Sequence, residues 1–84
     1  MSQELVKIGD VSHYYSNIEV AVVELIEHLK IGDKIMIKGT TTEFTQLVKS
    51  IQIENDQVIE AGAGDSIGLQ VKFRVRLGDQ VFRM

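Results

Sequence analysis

From Ser66 to Leu77 the chain alternates without a miss. Ile67, Leu69, Val71, Phe73, Val75 and Leu77 are apolar, and Ser66, Gly68, Gln70, Lys72, Arg74 and Arg76 fill the gaps. A period of two puts the two sets on opposite faces of an extended chain. The run is long for one strand, so the pattern predicts a bend or break near Phe73. Two more Ile- and Val-rich runs, DKIMIKG (33–39) and QLVKSIQIE (46–54), read as strands, and DQVFRM closes the chain.

Between the runs one dipeptide recurs: Gly9-Asp10, Gly32-Asp33, Gly64-Asp65 and Gly78-Asp79. Glycine permits positive φ and aspartate bonds nearby backbone amides, so each pair predicts a turn. Their spacing is too irregular for a solenoid repeat and fits strands that keep turning back. One segment is ambiguous. In SNIEVAVVELIEHLKIG, Ser16 and Glu19 spell a capping box, and Ile18, Val22, Leu25 and Leu29 sit at helical spacing before Gly32. The run Val20-Ala21-Val22-Val23 is instead rich in β-branched residues, which favour strands. Local pattern leaves an α+β domain open here.

With 84 residues the chain is one domain, 1–84. It has no cysteine, so disulfides, thiolate metal sites and cysteine nucleophiles are out of reach, and the cytoplasm is the expected compartment. MSQELVKIGD lacks the basic start and apolar segment of a signal peptide. The apolar stretch at 18–29 carries Glu19, Glu24, Glu27 and His28, so no membrane span is expected. A net charge of −3 argues against broad electrostatic capture of nucleic acid, while leaving local basic faces possible.

The order of these motifs resembles a known family. LKIGDKIMIKG, then VKSIQIENDQVIEAGAGDSIGLQV, then RLGDQVF is similar to the second domain of translational GTPases such as elongation factor Tu, and to stand-alone elongation-factor-like proteins. A similar barrel ends the collagenase-like peptidases. The resemblance covers nearly the whole chain. It rests on Lys30 to Asp33, Ser50-Ile51, Ala63 to Gly68 and Gly78-Asp79. It implies an all-β fold, a small closed antiparallel β-barrel of the translation-factor domain 2 type, with residues 17–27 in a strand. The GTPase domain itself is missing, and the first hairpin, HYYSNIE, lacks the family's glycines.

EAGAGDSIG invites a nucleotide-binding reading that its letters refuse. A phosphate-binding loop places lysine and a hydroxyl residue directly after its last glycine, whereas Asp65 follows Gly64. G-x-G-x-x-G also fails, because after Gly62 and Gly64 the next glycine is Gly68. The segment reads as a turn, and no GTP binding is expected.

Three stretches are candidates for contact with a partner. SHYYSN gathers His13, Tyr14, Tyr15 and Asn17, rings and amides that can stack on a base and bond its edge. The ordinary reading is a tyrosine filling the barrel mouth beside a solvated turn. Lys72, Arg74 and Arg76 would form a basic stripe with ~7 Å spacing on a regular strand, suited to a phosphate backbone or an acidic protein. Such alternation also simply solubilises a sheet face. KGTTTEFTQ offers four threonine hydroxyls and Phe44, or else a polar hairpin loop with one aromatic anchor. His13 and His28 lack a metal-binding spacing, and no nucleophile motif appears, so neither catalysis nor a cofactor or metal is expected.

Two functions follow as expectations. The resemblance implies a non-catalytic module binding tRNA, another RNA or a translation-related protein such as a translation factor. The alternative is a protein-interaction module that acts as a detached subunit of a larger enzyme, such as a collagenase-like peptidase.

Overall fold

Three of the four Gly-Asp pairs build the same turn. In the computed structural model, which describes residues 5–84, Gly32, Gly64 and Gly78 have φ of 94°, 92° and 88°. The aspartate N–H after each glycine reaches back three residues, from Asp33 to Lys30 O (3.2 Å), Asp65 to Gly62 O (3.1 Å) and Asp79 to Arg76 O (3.0 Å). Glycine at positive φ in the third place and this closing bond mark type II turns. Each aspartate carboxylate then accepts the N–H three residues back: Lys30 to Asp33 Oδ2 (3.1 Å), Gly62 to Asp65 Oδ2 (2.9 Å) and Arg76 to Asp79 Oδ2 (2.9 Å). A strand begins directly after every one of these aspartates.

The strands are β1 (Val6–Tyr15), β2 (Val20–Leu25), β3 (Leu29–Lys30), β4 (Lys34–Lys38), β5 (Glu43–Leu47), β6 (Ile51–Ile53), β7 (Asp56–Val58), β8 (Glu60–Ala61), β9 (Ser66–Gln70) and β10 (Gln80–Arg83). Eight form one sheet in the order β5-β4-β10-β1-β2-β9-β6-β7, and β3 pairs with β8. All recorded pairings are antiparallel. The sheet encloses Ile8, Val23, Leu29, Ile35, Ile37, Ile51, Leu69 and Val81, all buried. The fold is therefore all-β. The ladder runs from β5 to β7 with no backbone pairing recorded between those two ends, so the closure of the expected barrel is not established by the strand ladder. Among the described residues no helix is long and apolar enough to cross a membrane. Residues 1–4, which belong to the expected domain and to the MSQELVKIGD reading, lie outside the described residues.

Several local expectations need correction. The helical option at 17–30 gives way to β2, whose Ala21, Val23 and Leu25 point inward while Val20, Val22 and Glu24 face out. Glu19, at φ 56°, ends the preceding turn, so the capping-box letters sit in a hairpin instead. Gly9-Asp10 is no turn: it lies inside β1 next to a register shift between Lys7 and Gly9. There glycine is needed for packing, because a Cβ would stand 2.6 Å from the Glu24 carbonyl oxygen. The run 66–77 leaves the sheet after Gln70, earlier than Phe73, with Val71 N–H making the last bond across to the chain before β2, at the Glu19 carbonyl (3.0 Å). QLVKSIQIE is two strands, split where Val48 bonds Asp33 O and accepts from Gly32 N–H (both 2.8 Å).

Candidate functional site

The register of β1, β2, β9 and β6 sets out rows of side chains on the outer face of the sheet. A shift between Val11 and His13 accommodates Ser12 as an extra residue in β1. This turns His13 and Tyr15 outward, opposite Val22 and Val20, and Tyr14 inward, opposite Ala21. One row then reads His13, Val22, Gly68 and Gln52. The row on one side reads Tyr15, Val20 and Gln70. On the other side Glu24 faces Ser66.

Gly68 leaves a gap in the middle row. The result is a shallow cleft of ≈ 250 Å³ bordered by Tyr15, Ile18, Val20, Val22, Gln52 and Glu54, among others. Solvated faces of antiparallel sheets ordinarily alternate to polar. This one carries two valines, with Tyr15 and Ile18 exposed beside them. Its charge is acidic. The Glu24 carboxylate accepts from the hydroxyls of Ser12 (3.1 Å) and Ser66, both neutral donors. Among the described residues neither Glu24 nor Glu54 pairs with a basic side chain; the pairs there are Lys7–Asp10 (3.0 Å) and His28–Glu60 (2.6 Å).

The sequence candidates divide between two neighbourhoods. His13 and Tyr15 stack with centroids 4.3 Å apart at 55°, and Asn17 lies in the turn that follows. Tyr14 is partly buried and packs against the core. Phe44 meets the edge of Phe73 at 5.2 Å, beside Arg74 and the β4–β5 loop. Lys72, Arg74 and Arg76 are exposed, but they occupy an irregular segment, so the strand spacing that would align them is absent. Lys72 N–H instead bonds Gln46 Oε1 (2.9 Å), whose amide donates to Gln70 O (2.8 Å). That side chain spans from β5 to the end of β9. No group of three His, Cys, Asp or Glu side chains among the described residues is placed to hold a metal ion. Sequence reasoning passed over Ile18, Val20, Val22 and Gly68. The available signal was Val20 to Val23, apolar on both faces of a strand whose outer face meets solvent.

Known proteins place this architecture in context. No protein-family model matches the chain. An uncharacterized protease of Methanocaldococcus jannaschii is 41% identical over 78 residues, covering 92% of this chain and 19% of that protein. A collagenase of Porphyromonas gingivalis is 34% identical over 84 residues, covering 98% of this chain and 20% of the other. The chain thus spans about a fifth of the length of these relatives. The C-terminal domain of a U32 peptidase from Geobacillus thermoleovorans superposes with a TM-score of 0.87 at 21% identity, covering 92% of this chain and 90% of that domain. These matches overturn the translation-factor assignment, and with it the RNA-binding expectation. Shared strand-and-turn punctuation carried that resemblance, whereas residue identity runs to the peptidases. The chain is similar over nearly its whole length to a segment of protease and collagenase relatives, and it has the fold of a U32 peptidase C-terminal domain.

Proposed function

We propose that the chain is a non-catalytic protein-interaction module that works with a peptidase-like catalytic body. The likeness of nearly the whole chain to about a fifth of a protease carries this reading, because in that relative the matching segment is one part of a larger protein. The layout of titratable groups agrees with it. His28 and Glu60 form an exposed surface pair, and His13 stacks on Tyr15, so neither histidine sits in an enclosed pocket with converging acids and bases. We further infer that the sheet curls into a barrel, the Gln46 side chain tying β5 to the end of β9, where no backbone pairing between the two is recorded.

The test is calorimetric titration of the chain into a U32-type peptidase body that lacks its own C-terminal domain. The reading expects a 1:1 complex with Kd of roughly 1 µM or tighter. Absence of heat at ~100 µM, with both proteins folded by circular dichroism, refutes it.

A further inference from the structure

We infer that the Gly68 cleft is the surface that receives the peptidase body, and that its occupant is an extended segment of that body pairing apolar side chains with lysine or arginine. This rests on the reading just given and adds the place and chemistry of contact. Three observations converge on it.

The first is the apolar content of a solvated face. Val20 and Val22 are only half-buried, while Tyr15 and Ile18 are 47% and 56% exposed. Contiguous apolar surface of this kind marks sites of association. The outer face of β4 shows the contrast, since Lys34 and Lys38 flank Met36 there. The second is shape. Gly68 floors the cleft, and its φ lies outside the left-handed region, so backbone conformation does not require glycine at this position. An added Cβ would meet Val20 Cγ1 at 3.4 Å and Gln52 Cβ at 3.7 Å, ordinary contacts. What the missing side chain provides is room for another chain's side chain.

The third is charge. Glu54 borders the cleft and Glu24 stands one row away beside Ser66, while no lysine or arginine lines it. Serine hydroxyls orient the Glu24 carboxylate without neutralising it. A cation seated in the cleft gains from the Glu54 carboxylate at its border, or from Glu24 one row beyond, and apolar neighbours on the same segment reach Val20 and Val22. An acidic segment would meet like charge. The body is favoured over free substrate as the occupant, because in the relatives this segment is one part of a single chain with the body.

Gly68→Gln plugs the floor and leaves turns and core untouched, and Glu24→Gln removes a charge while retaining an acceptor for both serines. The titration above is repeated with these variants and with Lys38→Ala as an opposite-face control. A parallel NMR titration of the wild type uses an acetylated hexapeptide alternating lysine and leucine, with its glutamate–leucine counterpart for comparison. The inference expects Gly68→Gln to weaken binding to the body by about tenfold or more and Glu24→Gln by about threefold, with Lys38→Ala unchanged. It also expects the lysine peptide alone to shift the Gly68 and Val22 amides. Wild-type binding that Gly68→Gln leaves within about twofold overturns the cleft assignment while the interaction reading stands. No binding of the body refutes that reading, and if the lysine peptide still shifts Gly68, the cleft receives other polypeptides and the assigned occupant is wrong.

Discussion

Replacing Asp79 by alanine tests the turn logic where it is most exacting. Asp33, Asp65 and Asp79 perform the same task, each carboxylate holding the N–H at the start of its turn. They differ in burial, for Asp79 is 4% exposed while the other two are half-buried. Water replaces a lost carboxylate at a wet turn far better than at a buried one. A hydrogen bond to a charged acceptor contributes about 1.5–3 kcal/mol, and an abandoned buried donor costs about as much. Asp79→Ala is therefore predicted to cost about 2 kcal/mol and the other two about 1 kcal/mol or less. With a urea m-value near ~1 kcal/mol/M for so short a chain, the Asp79→Ala midpoint falls by about 2 M, and its Tm drops by roughly 10 °C. Gly39 supplies an internal check, since a Cβ there would collide with the Asp79 carboxylate. Gly39→Ala is predicted to destabilise the wild type by about 2 kcal/mol and the Asp79→Ala background by at least ~1 kcal/mol less. Urea denaturation of the single variants and the double variant gives all of these numbers. Equal losses for the three aspartates, or strict additivity of Gly39→Ala and Asp79→Ala, would refute the reasoning.

Two other variants probe the seam and the tightest hairpin. Gln46 is 6% exposed and holds backbone groups of both Gln70 and Lys72, so Gln46→Ala should cost about 2 kcal/mol in urea unfolding and speed amide exchange at Lys72. Glu54 and Asn55 link β6 to β7 at φ 51° and 69°, the left-handed pair of a type I′ turn. Asn55→Gly should therefore raise stability by about 0.5 kcal/mol, read as a higher thermal midpoint.

Strand content was legible because alternation reports a half-buried sheet directly, and the Gly-Asp turns because glycine and aspartate each have a local reason to be there. The fourth pair misled for a physical reason. Gly9 is selected by the approach of the Glu24 carbonyl across the sheet, a contact that no local window contains. The helical spelling at Ser16 to Leu29 was outweighed by partners on both flanks of β2, which pair it with β1 and β9. Regular alternation through Arg76 hid the end of β9 for a similar reason: Val71 and Val75 remain buried after the chain has left the ladder. Of the candidate site, SHYYSN lies on the β1–β2 hairpin that borders the proposed cleft. The cleft itself needed the register, because its floor is a missing side chain.

We propose that this chain has no chemistry of its own and serves a peptidase body. The most direct measurement is hydrolysis of a fluorescent gelatin substrate by the truncated U32-type body, by this chain, and by the two together. No hydrolysis is expected from the chain alone, and the mixture should show a higher kcat/KM than the body, an increase that Gly68→Gln abolishes. Hydrolysis by the chain alone, or a mixture no faster than the body, would contradict it.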